Sequence, residues 1–493
     1  MLVIELNREN LEYDVQALVQ AFFSEEQVEV LIPESRADKR EKLSKQVKIR
    51  VTAGEEDGGI RVSVDPALCA SGSETEILVY EWFPAEGRED KQDFKAFFYQ
   101  ILSRVTGKQL PWGMLTGIRP TKIAYGLLED GMGQGEIERH YQEKYFVSAE
   151  KGALAVDIAE RERRLLSGAH CGAGYSLYLG IPFCPSTCLY CSFTSYPIAG
   201  YKEKVDAYLD CLLREAEQMA ECFQGKILDS VYIGGGTPTT LEPEQLERLI
   251  TRLRELFDFD RAQEFTVEAG RADSITEEKL KVLHRQGVTR ISVNPQTMKQ
   301  ETLELIGRRT RVEQVEEAFR LARRVGFDNI NMDIILGLPG ETAEDVQHTI
   351  DRLVELGPDS LTVHSLAVKR ASGLNRWIQE NGVSMLRNTD ETMAIAAEGA
   401  KRLGMAPYYL YRQKNMSGNF ENVGYAREGK YGLYNILINE EKQTILALGA
   451  GSITKRVYPD GRIERCENVK EVAQYIDRIG EMIERKRSLL EAP

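Results

Sequence analysis

The chain has 493 residues, 42% apolar and 28% charged, which is enough for two or three domains with substantial cores. Acidic and basic residues fall within its first eight positions, so no secretory leader is expected, and no apolar run approaches the roughly 18 residues of a membrane span. A formal net charge of −14 opposes non-specific attraction to nucleic acid; scattered cysteines outside one short cluster argue against a disulfide framework, and a reducing cytoplasmic setting is the expectation.

In chain order, residues 1–110 alternate short strand candidates (Leu2–Leu6, Gln27–Ile32, Gln46–Val51, Ile60–Val64 and Glu76–Trp82) with helices near Val15–Phe23 and Asp93–Val105. This predicts an N-terminal α+β domain whose role the residues do not disclose. Residues 111–172 read as a mainly helical connector: a turn-rich segment from Trp112 to Lys122, then helix over Ile137–Leu166. Arg119 and Lys122 in it read as helix-start and surface charge.

Residues 173–380 carry six β-branched runs, Ser176–Pro182, Ser230–Gly235, Glu264–Ala269, Arg290–Gln296, Asn329–Leu336 and Ser360–Leu366. Between them lie amphipathic stretches at Tyr201–Cys222, Glu242–Leu256, Thr276–Gln286, Val312–Val325 and Thr342–Glu355. Repeated β-α units of this kind predict an α/β fold with parallel strands curled into a full or partial barrel, and such barrels work at the C-terminal ends of their strands. In residues 381–493 a helix over Asp390–Leu403, strands over Pro407–Asn415 and Tyr431–Asn439 and a long charged helix over Glu467–Leu490 predict a small C-terminal α+β domain.

Two motifs at expected strand ends bear chemistry. Cys184, Cys188 and Cys191 are spaced so that one loop could wrap a four-iron four-sulfur cluster and leave its fourth iron without a protein ligand. Zinc would want a fourth ligand, and no second cysteine pair or nearby histidine follows Cys191. Gly234, Gly235 and Gly236, followed by Thr237, remove side chains that would keep a ligand from the backbone; the alternative is a tight strand-to-helix turn. The segment lacks the pattern of a nucleotide-triphosphate loop.

The cysteine spacing, with Tyr190 before the last thiol, resembles the signature of radical S-adenosylmethionine enzymes. The segments Tyr178–Cys184, Gly234–Thr239, Val267–Ala269, Ser292–Gln296, Gly307–Arg308, Asn331–Pro339 and Leu448–Ser452 occur in the order found in the oxygen-independent coproporphyrinogen III dehydrogenase family. The N-terminal extension with its Leu115–Lys122 segment is similar to the HemZ-type branch. The resemblance implies a partial (β/α)6 TIM-like radical SAM barrel holding a 4Fe-4S cluster on the three cysteines. It also implies S-adenosyl-L-methionine bound by its amino and carboxylate groups to the open iron, with reductive cleavage giving a 5′-deoxyadenosyl radical.

Carried over by position, Tyr178 and Tyr190 belong to the cofactor site. Gly235, Gly236 and Thr237 would approach the methionyl part, Glu268 and Arg308 would flank its charged groups, Gln296 and Asp333 would reach the ribose, and Ala367 would border the adenine. The implied activity is an oxidoreductase reaction of haem biosynthesis, oxidative decarboxylation of coproporphyrinogen III to protoporphyrinogen IX. It needs a porphyrinogen substrate and an external electron donor and acceptor. Arg309, Arg311, Lys369, Arg370, Arg412 and Lys414 are candidate contacts for its carboxylates, or else a solvated face.

Two departures favour the related haem-chaperone branch as an alternative. Phe193 stands where the dehydrogenases carry a fourth cysteine, and Gly180 where they often carry histidine. Against it, the chaperones' His-Asn-x-x-Tyr-Trp motif is here Glu421-Asn422-Val423-Gly424-Tyr425-Ala426. His364, at the end of the sixth strand, is the histidine best placed to replace the missing ligand, and a satisfied core histidine is the plainer account of it.

Overall fold

The computed structural model describes residues 1–493 apart from 25, 54–58, 71, 73, 74, 85–90, 118, 370, 371, 383, 384, 414–419 and 493. The chain divides into two compact units, Met1–Val156 with Arg412–Phe420, and Asp157–Tyr411 with Glu421–Pro493. Among the described residues no helix is long and apolar enough to cross a membrane.

In the first unit a five-stranded sheet runs in the order Val28–Leu31, Leu2–Leu6, Val47–Ala53, Ile60–Val64, Leu78–Trp82. The first three strands are parallel and the last two are added antiparallel. Alternate residues Ile60, Val62 and Val64 turn to the core, as the period of two in a half-buried strand requires.

The second unit is built on an eleven-stranded sheet. Its strands in chain order are β1 (Gly174–Ile181), β2 (Ile227–Gly235), β3 (Glu264–Glu268), β4 (Arg290–Ser292), β5 (Ile330–Leu336), β6 (Ser360–Ser365), β7 (Ala406–Tyr411), β8 (Asn422–Ala426), β9 (Thr444–Leu448), β10 (Ile453–Val457) and β11 (Ile463–Glu467). β1 to β6 pair in sequence order and in parallel, with helices between, which gives the partial barrel. Helix Val312–Val325 shows why these crossovers form. It buries Val315, Ala318, Phe319 and Ala322 at helical spacing and ends on Gly326 at a positive φ. Helix Ala343–Leu356 starts on a Thr342 cap whose side chain accepts from Asp345 N.

The C-terminal residues extend this same sheet at both edges. β8 joins β6 antiparallel and β7 joins β8, while β9 joins β1 in parallel and leads into the β10–β11 hairpin. The strand expected over Tyr431–Asn439 is helix Leu433–Glu440, which buries Leu433, Tyr434, Ile436, Leu437 and Glu440, a helical rather than alternating pattern. The long helix expected over Glu467–Leu490 is two, Val472–Asp477 and Ile479–Glu491. The fourth strand stops at Ser292 rather than Gln296; Gln296, at φ 70°, makes an isolated parallel bridge to Ile334 of β5.

Candidate functional site

Beyond β1 the chain enters the cysteine loop. Phe183–Cys184 pairs in parallel with Tyr196–Pro197, closing the loop at its base. Leu189 N donates to Ile306 O at 3.0 Å, Leu374 N to Leu189 O at 2.9 Å, and Ser186 Oγ to Gly307 O at 3.0 Å. These bonds fix the loop to segments that follow β4 and β6. Each sulfur meets a donor or hydroxyl: Thr237 Oγ1 bonds Cys184 Sγ at 3.4 Å, Arg271 Nη1 bonds Cys188 Sγ at 3.6 Å, and Ser195 Oγ lies 3.8 Å from Cys191 Sγ.

Two guanidiniums face the thiols. Arg271 is 4% exposed and is held by a two-bond fork on Asp273 at 3.0 and 2.7 Å. Arg308 bonds Tyr190 Oη at 3.2 Å and the Asn294 carbonyl, and its Nε is buried without a partner. Burial opposes both charges, but Asp273 and Cys188 beside Arg271, and Tyr190 and Cys188 beside Arg308, outweigh it and raise both pKa values. Burial pushes the Cys184 thiol up to about 11 even with Thr237 donating to it, so only coordination or a cation would keep that sulfur ionised at neutral pH.

Three sulfurs on one clamped loop, each within reach of a hydroxyl or an N–H and with fixed guanidiniums beside Cys184 and Cys188, suit the corners of an anionic iron–sulfur cluster.

The glycine run packs against this loop. Gly236 N donates to Ile181 O at 2.8 Å and Thr237 N to Phe183 O at 2.7 Å. A Cβ on Gly236 would lie 2.5 Å from Phe183 O, so this glycine is required by the protein's own backbone rather than by a ligand. Gly235 has φ +102° and offers its N–H to Glu268.

Inside the barrel, Tyr232 Oη donates to Glu268 Oε1 at 2.5 Å. Burial raises the Glu268 carboxyl to about 7, against the opposing pull of Tyr232, Arg290 and Gly235. The rings of Tyr232 and Tyr434 stack at 4.5 Å between centroids, and Tyr178 stacks on both at 6.2 and 6.1 Å, forming an aromatic floor. Farther round the rim, Asp333 accepts from Asn331 Nδ2 at 2.6 Å and lies 3.7 Å from His364 Nε2. Burial alone would raise the Asp333 carboxyl, but His364, Asn331 and Thr362 hold it below the usual range. Gln296 is tied to β5 through Gln296 N to Asp333 O and Ile335 N to Gln296 O, both 2.9 Å, while its side-chain Oε1 is buried without a partner.

The structure thus gathers Cys184, Cys188, Cys191, Tyr190, Thr237 and Arg308 at the loop, Tyr178, Gly235 and Glu268 in the barrel beside it, and Gln296 next to Asp333. Ala367 follows β6 and is half-buried. Of the expected rim cations, Arg309 and Arg311 are exposed and Lys369 sits over the Phe193 ring. Arg412 lies in the first unit, where it bonds Leu115 O, and Arg370 and Lys414 lie outside the described residues. His364 is engaged by Asp333 and by Tyr411 Oη at 3.4 Å from its Nδ1. Sequence reasoning missed Arg271, Tyr232, Tyr434 and Asn294. Arg271 and Asn294 each follow a strand end, a positional signal that could have found them; Tyr434 comes from a helix far along the chain and gave none.

Residues 178–353 match the radical SAM superfamily. Over 82% of its length the chain is 38% identical to the oxygen-independent coproporphyrinogen-III oxidase-like protein HemZ of Bacillus subtilis, covering 82% of that protein. It is 32% identical to the heme chaperone HemW of the same organism over 62% of this chain and 76% of that one. The solved structure of coproporphyrinogen III oxidase HemN from Escherichia coli, a radical SAM enzyme, superposes with a TM-score of 0.51 at 26% identity, covering 65% of this chain and 72% of HemN.

Proposed function

We propose, from the premise that this chain belongs to the radical SAM superfamily, in the HemZ-type branch of the oxygen-independent coproporphyrinogen III dehydrogenase family, and uses that superfamily's 4Fe-4S cluster and S-adenosylmethionine, that it oxidatively decarboxylates coproporphyrinogen III to protoporphyrinogen IX. What supports the reading is the joint placement of a three-thiol loop clamped by Arg271 and Arg308 and of Glu268 and Asp333 on the third and fifth strands of one barrel.

When bound, the cluster and S-adenosylmethionine supply one-electron cleavage of a sulfonium bond and a radical able to abstract hydrogen. Cys184, Cys188 and Cys191 would hold the cluster, with Thr237 and Arg271 fixing two of the sulfurs. Glu268 would take the cofactor's ammonium, for which it must give up the proton that burial favours. Arg308 would take the carboxylate with its unpartnered Nε, held in place by Tyr190 and the Asn294 carbonyl. Gln296 Oε1 and the ionised Asp333 would accept from the ribose hydroxyls. The stacked Tyr178, Tyr232 and Tyr434 close the barrel beneath and exclude water from the reacting face. Each of two propionates loses a hydrogen atom from its β-carbon and then carbon dioxide, one electron passing to an external acceptor, and a vinyl group remains.

The chaperone alternative is disfavoured by one observation. At the position of that branch's histidine, Glu421 is 1% exposed and its backbone carbonyl accepts from Ser365 Oγ at 2.8 Å, while Asn422 Oδ1 accepts from Ser365 N at 2.9 Å. Those bonds tie the start of β8 to the end of β6. The test is an anaerobic incubation with reductant, S-adenosylmethionine, an electron acceptor and coproporphyrinogen III. Release of 5′-deoxyadenosine and carbon dioxide with formation of protoporphyrinogen IX supports the proposal; stoichiometric haem uptake without decarboxylation overturns it.

A further inference from the structure

Phe193 and Lys369 stand together beside the thiol loop, where the Lys369 ammonium also interacts electrostatically with Cys191. Phe193, two residues past Cys191, is 72% exposed, more than any other large apolar side chain among the described residues. Lys369, four residues past β6, places its ammonium 5.8 Å from the centre of the Phe193 ring. Among the described residues no carboxylate pairs with that ammonium, although most other part-buried lysines here have one, as Lys95 has Asp14 and Lys455 has Glu441.

The juxtaposition is built rather than accidental. Leu366 and Val368 pack in one apolar cluster with Leu189 and Tyr190 of the thiol loop, so the segment leading into Lys369 is tied to the loop that carries Phe193. Ser372 N and Oγ both donate to Lys369 O, at 3.0 and 2.8 Å, which anchors the Lys369 carbonyl. An exposed aromatic face and an unpaired cation at one edge of the barrel mouth fit a ligand that is itself flat or apolar and carries a carboxylate.

We propose that Phe193 and Lys369 form the lip that grips the substrate, the ring lying against a pyrrole of a propionate-bearing tetrapyrrole and the ammonium bonding one of its propionates. This deepens the function proposed above and rests on it. Phe193 thereby has a use at the place where the dehydrogenases keep a fourth cysteine.

The test compares wild type with Lys369→Met, Lys369→Arg and Phe193→Ala by three readings: iron content, the KM for coproporphyrinogen III, and the Kd for the unreactive coproporphyrin III from its fluorescence. Lys369→Met should raise KM and Kd about tenfold and Phe193→Ala about threefold, with Lys369→Arg within about twofold of wild type and iron content equal in all. Unchanged Kd and KM in Lys369→Met and Phe193→Ala, in a protein whose wild type decarboxylates, would overturn the lip and leave the function standing. Iron lost in step with affinity would also overturn it, since the pair would then be a support of the thiol loop. A wild type that neither binds coproporphyrin III nor decarboxylates would take both readings down.

Discussion

Near the start of β2, Asp229 is fully buried and accepts from His170 N at 2.9 Å, His170 Nδ1 at 2.7 Å and Gln263 Nε2 at 3.1 Å, with Gln443 Nε2 as a further donor. Beside it Ser230 donates to Ser176 and Ser176 to Gln443, both at 2.8 Å, so this polar cluster closes on itself. Towards the opposite ends of the strands, Gln296 Oε1, Arg308 Nε and Thr310 Oγ1 are also buried, and no hydrogen bond reaches them. Buried polar groups are nearly always paired, so a group left open marks either strain or a place kept for a ligand. The Asp229 cluster spends its polar groups on stability, whereas these three groups at the rim are left for a ligand. Substitutions at the two ends should therefore part cleanly into losses of fold and losses of ligand.

The largest separation is expected at the thiols. Cys184→Ala should remove more than about 90% of the iron, read by metal analysis, while the melting temperature of the metal-free protein stays near that of metal-free wild type. At the other end, Asp229→Ala strands several buried donors and should cost about 3 kcal/mol in urea unfolding, with cofactor affinity unchanged in the folded fraction. Arg308→Met should weaken S-adenosylmethionine binding by about thirtyfold in equilibrium dialysis with iron retained, because Arg271 still faces the thiols. Asp333→Asn should cost about tenfold by the same measurement.

The smallest effect is a pH dependence. Glu268, raised to about 7, must be ionised to bond an ammonium, so affinity for S-adenosylmethionine should climb as pH rises through about 7 and then level. Glu268→Gln should flatten that rise, and a rise that survives the substitution would remove Glu268 from the site.

Much of the rim was legible because strand ends announce themselves: an apolar run stops, and a Gly, Cys or charged residue follows. All six barrel strands lie where alternating β-branched and amphipathic runs put them. The glycine run suggests room for a ligand, but at Gly236 the close partner is the Ile181–Phe183 backbone, which no local pattern can tell. Tyr431–Asn439 misled because a short apolar run suits a strand and a buried helix equally, and only the packing of Leu433, Ile436 and Leu437 together decides between them. Arg271 was hidden among 63 lysines and arginines, and what singles it out, a fork on Asp273 aimed at Cys188, is tertiary.

Electron paramagnetic resonance of the anaerobically purified and reduced protein, recorded before and after addition of S-adenosylmethionine, tests the cluster site most directly. The structure predicts the spin-one-half signal of a reduced four-iron cluster whose line shape changes when the cofactor is added. Protein with zinc and no iron at Cys184, Cys188 and Cys191, or a cluster signal indifferent to S-adenosylmethionine, would contradict it.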